Sequence, residues 1–206
     1  MAYTLVTGAS GGIGMALAKE CAKHGHDLII VARTAEKLEL LKTELEKEYG
    51  IHVEAVAADL SKEAERESLF RYTQQKGMEV ENLVNNAGFG DSNAFLEAAW
   101  VRQKNMVELN ILALMHLTHL YGNEMKKKGK GRILNLSSVA AFSAGPYMSI
   151  YYASKGFVLS LSEAMFEELK GSGITVTALC PGPTATGFEK NAGMKLMERL
   201  PMDLML

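Results

Sequence analysis

Three residues in the second half of this chain have the types and the spacing for proton transfer: Ser138, Tyr151 and Lys155. Tyr151 and Lys155 are four positions apart, so a helix over 151–170 puts the phenol and the ammonium on one face and in one space. A lysine charge near a phenol favours the phenolate and lowers a pKa that starts near about 10. Tyrosine so placed is a usable acid or base near neutrality.

Four further features stand along the chain to position that pair. The apolar run Tyr3–Thr7 reads as a strand and leads directly into Gly8-Ala9-Ser10-Gly11-Gly12-Ile13-Gly14 and a helix. In a strand, glycine turn and helix of this kind, Gly8 allows the tight turn, Gly12 lets the backbone approach a pyrophosphate, and Gly14 lets the helix pack closely on the strand. The spacing differs from the common G-x-G-x-x-G fingerprint. The other features are Asn85-Asn86-Ala87-Gly88 after an apolar pair, Asn110 inside a long apolar stretch, and Pro181-Gly182-Pro183-Thr184 after the run Ile174–Cys180.

Short apolar runs rich in Val, Ile and Leu predict strands at about 3–7, 27–32, 51–57, 82–85, 131–137 and 174–180. Helix-period segments lie between them at 12–24, 35–48, 62–76, 106–127 and 151–170, with Gly25, Gly50, Gly77, Gly129 and Gly171 as their stops. The alternation predicts one α/β domain over 1–206, a Rossmann-type doubly wound parallel sheet with helices on both faces and strand order 3-2-1-4-5-6.

From Tyr3 to about Phe188 the chain resembles the classical short-chain dehydrogenase/reductase family, in the branch of carbonyl reductases, 3-ketoacyl reductases and hydroxysteroid-type dehydrogenases. The resemblance rests on the glycine turn, Asp59-Leu60, the Asn-Asn-Ala-Gly run, the helix asparagine, the serine, Tyr-x-x-x-Lys, and Pro-Gly with a following threonine, all in order. It implies an oxidoreductase that transfers hydride between a nicotinamide cofactor and a carbonyl or secondary alcohol. Tyr151 then serves as the acid, Ser138 bonds the carbonyl oxygen, and Lys155 holds the nicotinamide ribose and lowers the Tyr151 pKa. Asn110 supports a water that links Lys155 to solvent. The thirteen-residue spacing to Tyr151 selects Ser138 over Ser137, and Tyr152, only three residues before Lys155, is left as structural.

The resemblance also assigns cofactor contacts. Gly8, Ser10, Gly12, Ile13 and Gly14 belong to the glycine turn, Asp59 and Leu60 to the adenine edge, and Asn86, Ala87 and Gly88 to the adenosine half of the cleft. Pro181, Gly182 and Thr184 flank the nicotinamide, with Thr184 preferred to Thr186 for its carboxamide. Asp59 could equally cap the helix near Ser61. The choice of dinucleotide follows from the end of the second strand, Val31-Ala32-Arg33-Thr34, where an acidic residue would bond the ribose 2′-OH and repel a 2′-phosphate. Arg33 offers a planar fork to phosphate and Ser10 a hydroxyl, so NADP(H) is expected over NAD(H).

Composition adds boundaries. A net charge of −2 gives no electrostatic reason for nucleic acid or an anionic membrane as partner. The basic run Lys126–Arg132 reads as a solvated helix end. The first strand starts too early for a signal peptide and no apolar stretch reaches a membrane span, which together with two distant cysteines suggests a cytoplasmic protein with reduced thiols. His116 and His119 lack further ligands and read as packing or subunit contacts, so no metal is expected. Phe142, Pro146, Tyr147 and Met148 are expected to wall the substrate pocket. A homo-oligomer through helices 106–127 and 151–170 is expected from their surplus of apolar residues. The family's seventh strand and its helix have no counterpart before Leu206, and a truncated chain is the expected reason. The alternative to an enzyme is a dinucleotide-sensing or partner-binding protein that retains the fold.

Overall fold

The sheet is built by strict alternation of buried side chains. In β1 (Ala2–Thr7), Leu5 packs in one apolar cluster and Val6 in another; in β2 (Asp27–Ala32), Ile29 and Val31 join the first, and Leu28 and Ile30 the second. Strands buried on both faces need no polar side, and each such residue contributes about 1.5–3 kcal/mol of burial. The structure, a computed structural model, describes residues 2–184.

Helices α1 (Gly12–Lys23) and α2 (Ala35–Tyr49) cover the second face, where Ala18, Ala22, Leu38, Leu41 and Leu45 meet β2 and β3 (Val53–Ala57). The first face is covered by α3 (Glu63–Gln75) and α5 (Leu114–Lys128), through Leu69, Leu117, Tyr121 and Met125. After β4 (Glu79–Asn85) come a loop and α4 (Trp100–Val107), then a π-helical segment at Glu108–Ala113 that runs into α5. The sheet closes with β5 (Gly131–Leu136) and β6 (Ile174–Leu179), joined by a 3-10 turn (Val139–Phe142) and α6 (Ser149–Glu168).

The six strands are parallel in the order β3-β2-β1-β4-β5-β6, with Leu5 beside Ile29 on one flank and Leu83 on the other. This is the doubly wound sheet expected, and all five predicted stop glycines have positive φ. Several boundaries differ. The third strand starts at Val53, the fourth at Glu79, and the helix expected at 106 begins at Trp100 and carries the π segment across Asn110. Its first turn exposes Trp100 and Val101 and buries Gln103, the reverse of the usual apolar pattern, which hides it from a pattern reading. The chain reverses direction across the sheet between β1 and β4, and the crevice at such a switch point is where ligands bind in this architecture.

Candidate active site

A cleft of about 520 Å³ opens at the carboxyl ends of the strands. Its floor begins with the glycine turn. Gly8, at φ 68°, has the left-handed backbone that glycine adopts freely, and a Cβ there would stand 2.7 Å from Asn86 Nδ2. Gly14 is more tightly held: its Cβ would lie 2.4 Å from the Gly8 carbonyl oxygen and 2.3 Å from Asn86 Nδ2. Asn86 thus staples the turn, donating from Nδ2 to the Thr7 carbonyl at 2.8 Å, while Thr7 Oγ1 accepts from the amides of Asn86 and Ala87 at 2.9 and 3.0 Å.

Helix α1 starts here without a side-chain cap, so the N–H groups of its first turn are left for another acceptor. The sequence expectation gave Gly12 the role of admitting a pyrophosphate. Gly12 has a positive φ of 55° and lines the cleft beside Gly11, where a Cβ would meet no atom within 4 Å. An uncapped helix start with no side chain over Gly11 suits a phosphate group.

Arg33 and Lys37 line the far end of the cleft with Ser10, Asp59 and Leu60. Burial raises the Asp59 carboxyl, but the hydroxyl and amide of Ser61 and the charges of Lys62 and Arg33 outweigh it and hold the carboxyl below its usual range. One oxygen is committed locally: Oδ1 accepts from Ser61 N at 3.2 Å and from Ser61 Oγ at 2.7 Å. The capping alternative is not realised: α3 begins after Lys62 without a side-chain cap, and Asp59 bonds the turn before it.

At the other end the proton-transfer residues come together. Tyr151 and Lys155 project from α6, and Ser138, whose Oγ accepts from Ala140 N at 3.1 Å, hydrogen-bonds the Tyr151 hydroxyl. Lys155 is buried, and its Nζ donates to the Leu136 carbonyl at 2.7 Å while standing 5.7 Å from the Tyr151 ring centre. Desolvation pushes the lysine down to about 8, slightly opposed by Cys180. The expectation that Lys155 lowers the tyrosine is corrected. Burial raises the Tyr151 hydroxyl, and the Ser138 hydrogen bond only partly opposes it, because the ammonium is aimed at a carbonyl and not at the phenol. Ser137 is structural as expected, buried and donating to the Lys155 carbonyl at 2.8 Å.

Asn110 is buried in the π segment, beneath the cleft wall. Its Nδ2 donates to Phe89 O at 2.9 Å and Ser154 Oγ at 3.2 Å, and its Oδ1 accepts from Phe89 N at 3.0 Å. Both side-chain N–H donors are used on protein atoms, so any support of a water falls to its side-chain oxygen or its main chain.

These features coincide with a match to the short chain dehydrogenase family model over residues 2–196. The chain belongs to the short-chain dehydrogenase family. It is 35% identical over 199 residues to 17-beta-hydroxysteroid dehydrogenase type 3 of Mus musculus, covering 94% of this chain and 64% of that protein. Against the very-long-chain 3-oxoacyl-CoA reductase of Homo sapiens the identity is 31% over 192 residues, covering 91% of this chain and 61% of the relative. The chain therefore spans less than two thirds of the length of these relatives. Among solved structures, a short-chain dehydrogenase from Sphingobium yanoikuyae in complex with NADPH superposes with a TM-score of 0.90 at 36% identity, covering 98% of this chain and 78% of that one.

Of the catalytic and cofactor-binding residues expected in this short-chain dehydrogenase, all line the cleft except Gly14 and Asn110, which shape it from behind; of the four expected pocket walls, Phe142, Pro146 and Tyr147 do not line it. Gly88 stays small because a Cβ would lie 3.0 Å from Asn110 Oδ1. Thr184 is the last described residue and its Oγ1 donates to the Gly182 carbonyl at 2.9 Å; Thr186 lies outside the described residues. Met148 lines the cleft, whereas Phe142 and Tyr147 are exposed beside it. His116 is committed to packing, its Nδ1 accepting from buried Arg66 at 3.2 Å. Two residues went unread. Lys37 could have been found as the cation in the first turn of the helix that follows Arg33; Gly11 carries no signal beyond its place in the glycine run. No helix among the described residues is long and apolar enough to cross a membrane.

Proposed function

We propose that this chain is an NADPH-dependent oxidoreductase that interconverts a carbonyl compound and its secondary alcohol. The observation that carries this reading is the hydrogen bond between Ser138 and half-buried Tyr151, one turn from buried Lys155, in the same cleft as an uncapped helix start and two cations. When bound, the nicotinamide cofactor supplies or takes the hydride.

This chain's residues handle the proton and the position. In reduction, Tyr151 gives its hydroxyl proton to the carbonyl oxygen as that oxygen gains charge, and Ser138 holds the same oxygen. Lys155, held by the Leu136 carbonyl one turn from Tyr151, would take the nicotinamide ribose. Asn110 positions the Gly88–Phe89 wall. Arg33 and Lys37 face the cleft where a 2′-phosphate would add charge, which favours NADPH over NADH.

The reading includes a reducing, cytoplasmic setting, in keeping with free Cys21 and Cys180. It also includes pairing of two copies through α5 and α6, where Met115, Phe157 and Phe166 stand exposed. Light scattering at micromolar concentration should give a dimer mass; a monomer mass would remove that part.

The deciding experiment is a screen of ketones, aldehydes, 3-ketoacyl thioesters and steroid ketones, followed by loss of NADPH absorbance. Consumption of NADPH with at least one class is the expected result. Tight NADPH binding with no turnover of any class would instead favour a dinucleotide-sensing protein.

A further inference from the structure

The segment between the 3-10 turn and α6 passes the cleft mouth as a β-turn, Gly145-Pro146-Tyr147-Met148, closed by Met148 N donating to the Gly145 carbonyl at 3.0 Å. Proline suits the second position of such a turn. The third holds Tyr147 at φ 64°, in the left-handed region where turns of this shape take glycine or asparagine. Among the described residues it is the only non-glycine with a positive φ.

The surroundings hold this conformation from both sides. Asn93 N donates to the Tyr147 carbonyl at 2.8 Å, and Asn93 Nδ2 donates to Asp91 Oδ2 at 3.0 Å. Buried Asp91 pairs with Arg102 of α4, whose guanidinium lies 5.3 Å from the centre of the Phe89 ring. Phe89 is the cleft residue gripped by Asn110. On the opposite side Gly145 lies against Tyr152, where a Cβ would come 2.2 Å from the ring. The turn is thereby tied to both walls of the cleft.

Nothing in the packing accounts for a tyrosine there. Its hydroxyl makes no hydrogen bond among the described residues, and the residue is 47% exposed. Met148, the next residue, lines the cleft, and the apolar side chains of Val139 and Phe142 stand exposed in the loop between Ser138 and the turn. A strained residue over-determined by its neighbours beside a cleft marks a position kept for function.

We propose that Tyr147 is a specificity-determining residue whose ring contacts the apolar body of a bulky carbonyl substrate, and that Asn93 fixes the backbone presenting it. This rests on the reductase reading and adds the substrate class: ketones with an aromatic or alicyclic body, in preference to small polar ones.

The test compares Tyr147→Asn and Tyr147→Phe with the unsubstituted protein, using benzophenone and 2-butanone with NADPH. Asparagine tolerates the left-handed backbone, so Tyr147→Asn should melt at the same or a higher temperature. Losing a half-buried ring contact should raise its KM for benzophenone roughly ten-fold, with kcat and the KM for 2-butanone within about two-fold. Tyr147→Phe should match the unsubstituted protein. Titration of benzophenone onto the protein saturated with NADP+, where reduction cannot proceed, should show the same loss of affinity in Tyr147→Asn. An unchanged benzophenone KM, or equal losses on both ketones, overturns this inference alone. Absence of turnover with every carbonyl overturns the reductase reading and this inference with it.

Discussion

The Asn110 side chain and the Phe89 main chain are joined twice, by Phe89 N to Oδ1 at 3.0 Å and by Nδ2 to the Phe89 carbonyl at 2.9 Å. The pair copies a strand ladder with one side-chain amide, and a third bond, to Ser154 at 3.2 Å, reaches the helix that carries Tyr151 and Lys155. One residue in a π segment therefore couples the cleft wall to the proton-transfer helix, a usual setting for such segments. Asn110→Leu removes every partner at once and leaves a main-chain N–H and C=O unpaired, each at about 1–3 kcal/mol. Urea unfolding should show a loss on the order of 2–4 kcal/mol, with Asn110→Asp intermediate because it keeps the acceptor. A loss within the scatter of surface substitutions would mean that the wall holds itself.

Lys155 makes stability rise with pH in the protein without cofactor. Its folded value, about 8, lies below the ordinary 10.5. Below the folded value the lysine is charged in folded and unfolded chains alike, and burial of the charge opposes folding in full. Between the two values the unfolded chain binds more protons, so folding gains stability, by on the order of 3 kcal/mol across the window. Lys155→Met has no such proton to lose. Its stability relative to the unsubstituted protein should be greatest near neutrality and should shrink steadily towards about pH 10 in urea unfolding. A constant difference across that range would place the ammonium in water.

Tyr151 works from the opposite starting point. Burial raises its hydroxyl, so at neutral pH the residue holds the proton that carbonyl reduction consumes. Reduction should be flat through neutrality and fall once pH climbs through the raised value, while alcohol oxidation should increase with pH. Tyr151→Phe should lose about 10²–10⁴-fold in turnover with NADPH affinity nearly unchanged. Tyr152, whose ring packs over Gly145, is the control, and Tyr152→Phe should keep both. The opposite pattern in the two variants would reassign the acid.

The sheet was legible because its strands are short Val, Ile and Leu runs, so periodicity and glycine stops sufficed for strand order and for the carriers of Ser138, Tyr151 and Lys155. Distances between elements were not. Spacing could put Tyr151 and Lys155 on one face, yet the direction of the Lys155 ammonium depends on the Leu136 carbonyl of a neighbouring strand, nineteen residues away. The Asn86 staple, the Asn110 clamp and the Asp91–Arg102 pair are likewise contacts between segments remote in sequence. Tyr147 was visible as a residue near the site, but its positive φ is a backbone state that a tyrosine does not announce.

The cofactor end offers the remaining test. Arg33 and Lys37 are both exposed and both line the cleft, so two screened cations rather than one buried pair face the position of a 2′-phosphate. Removal of the charge-assisted Arg33 contact in Arg33→Asp should weaken NADPH roughly ten- to a hundred-fold, with NADH changed by no more than about three-fold. Lys37→Ala should cost less, because a point charge lacks the planar fork. Because both groups are exposed, the preference for NADPH should also shrink as salt rises from about 0.01 to about 1 M, over which the screening length falls from about 30 to about 3 Å. Equal affinity of the unsubstituted protein for NADPH and NADH at low salt, measured by titration, would show that neither cation meets the phosphate.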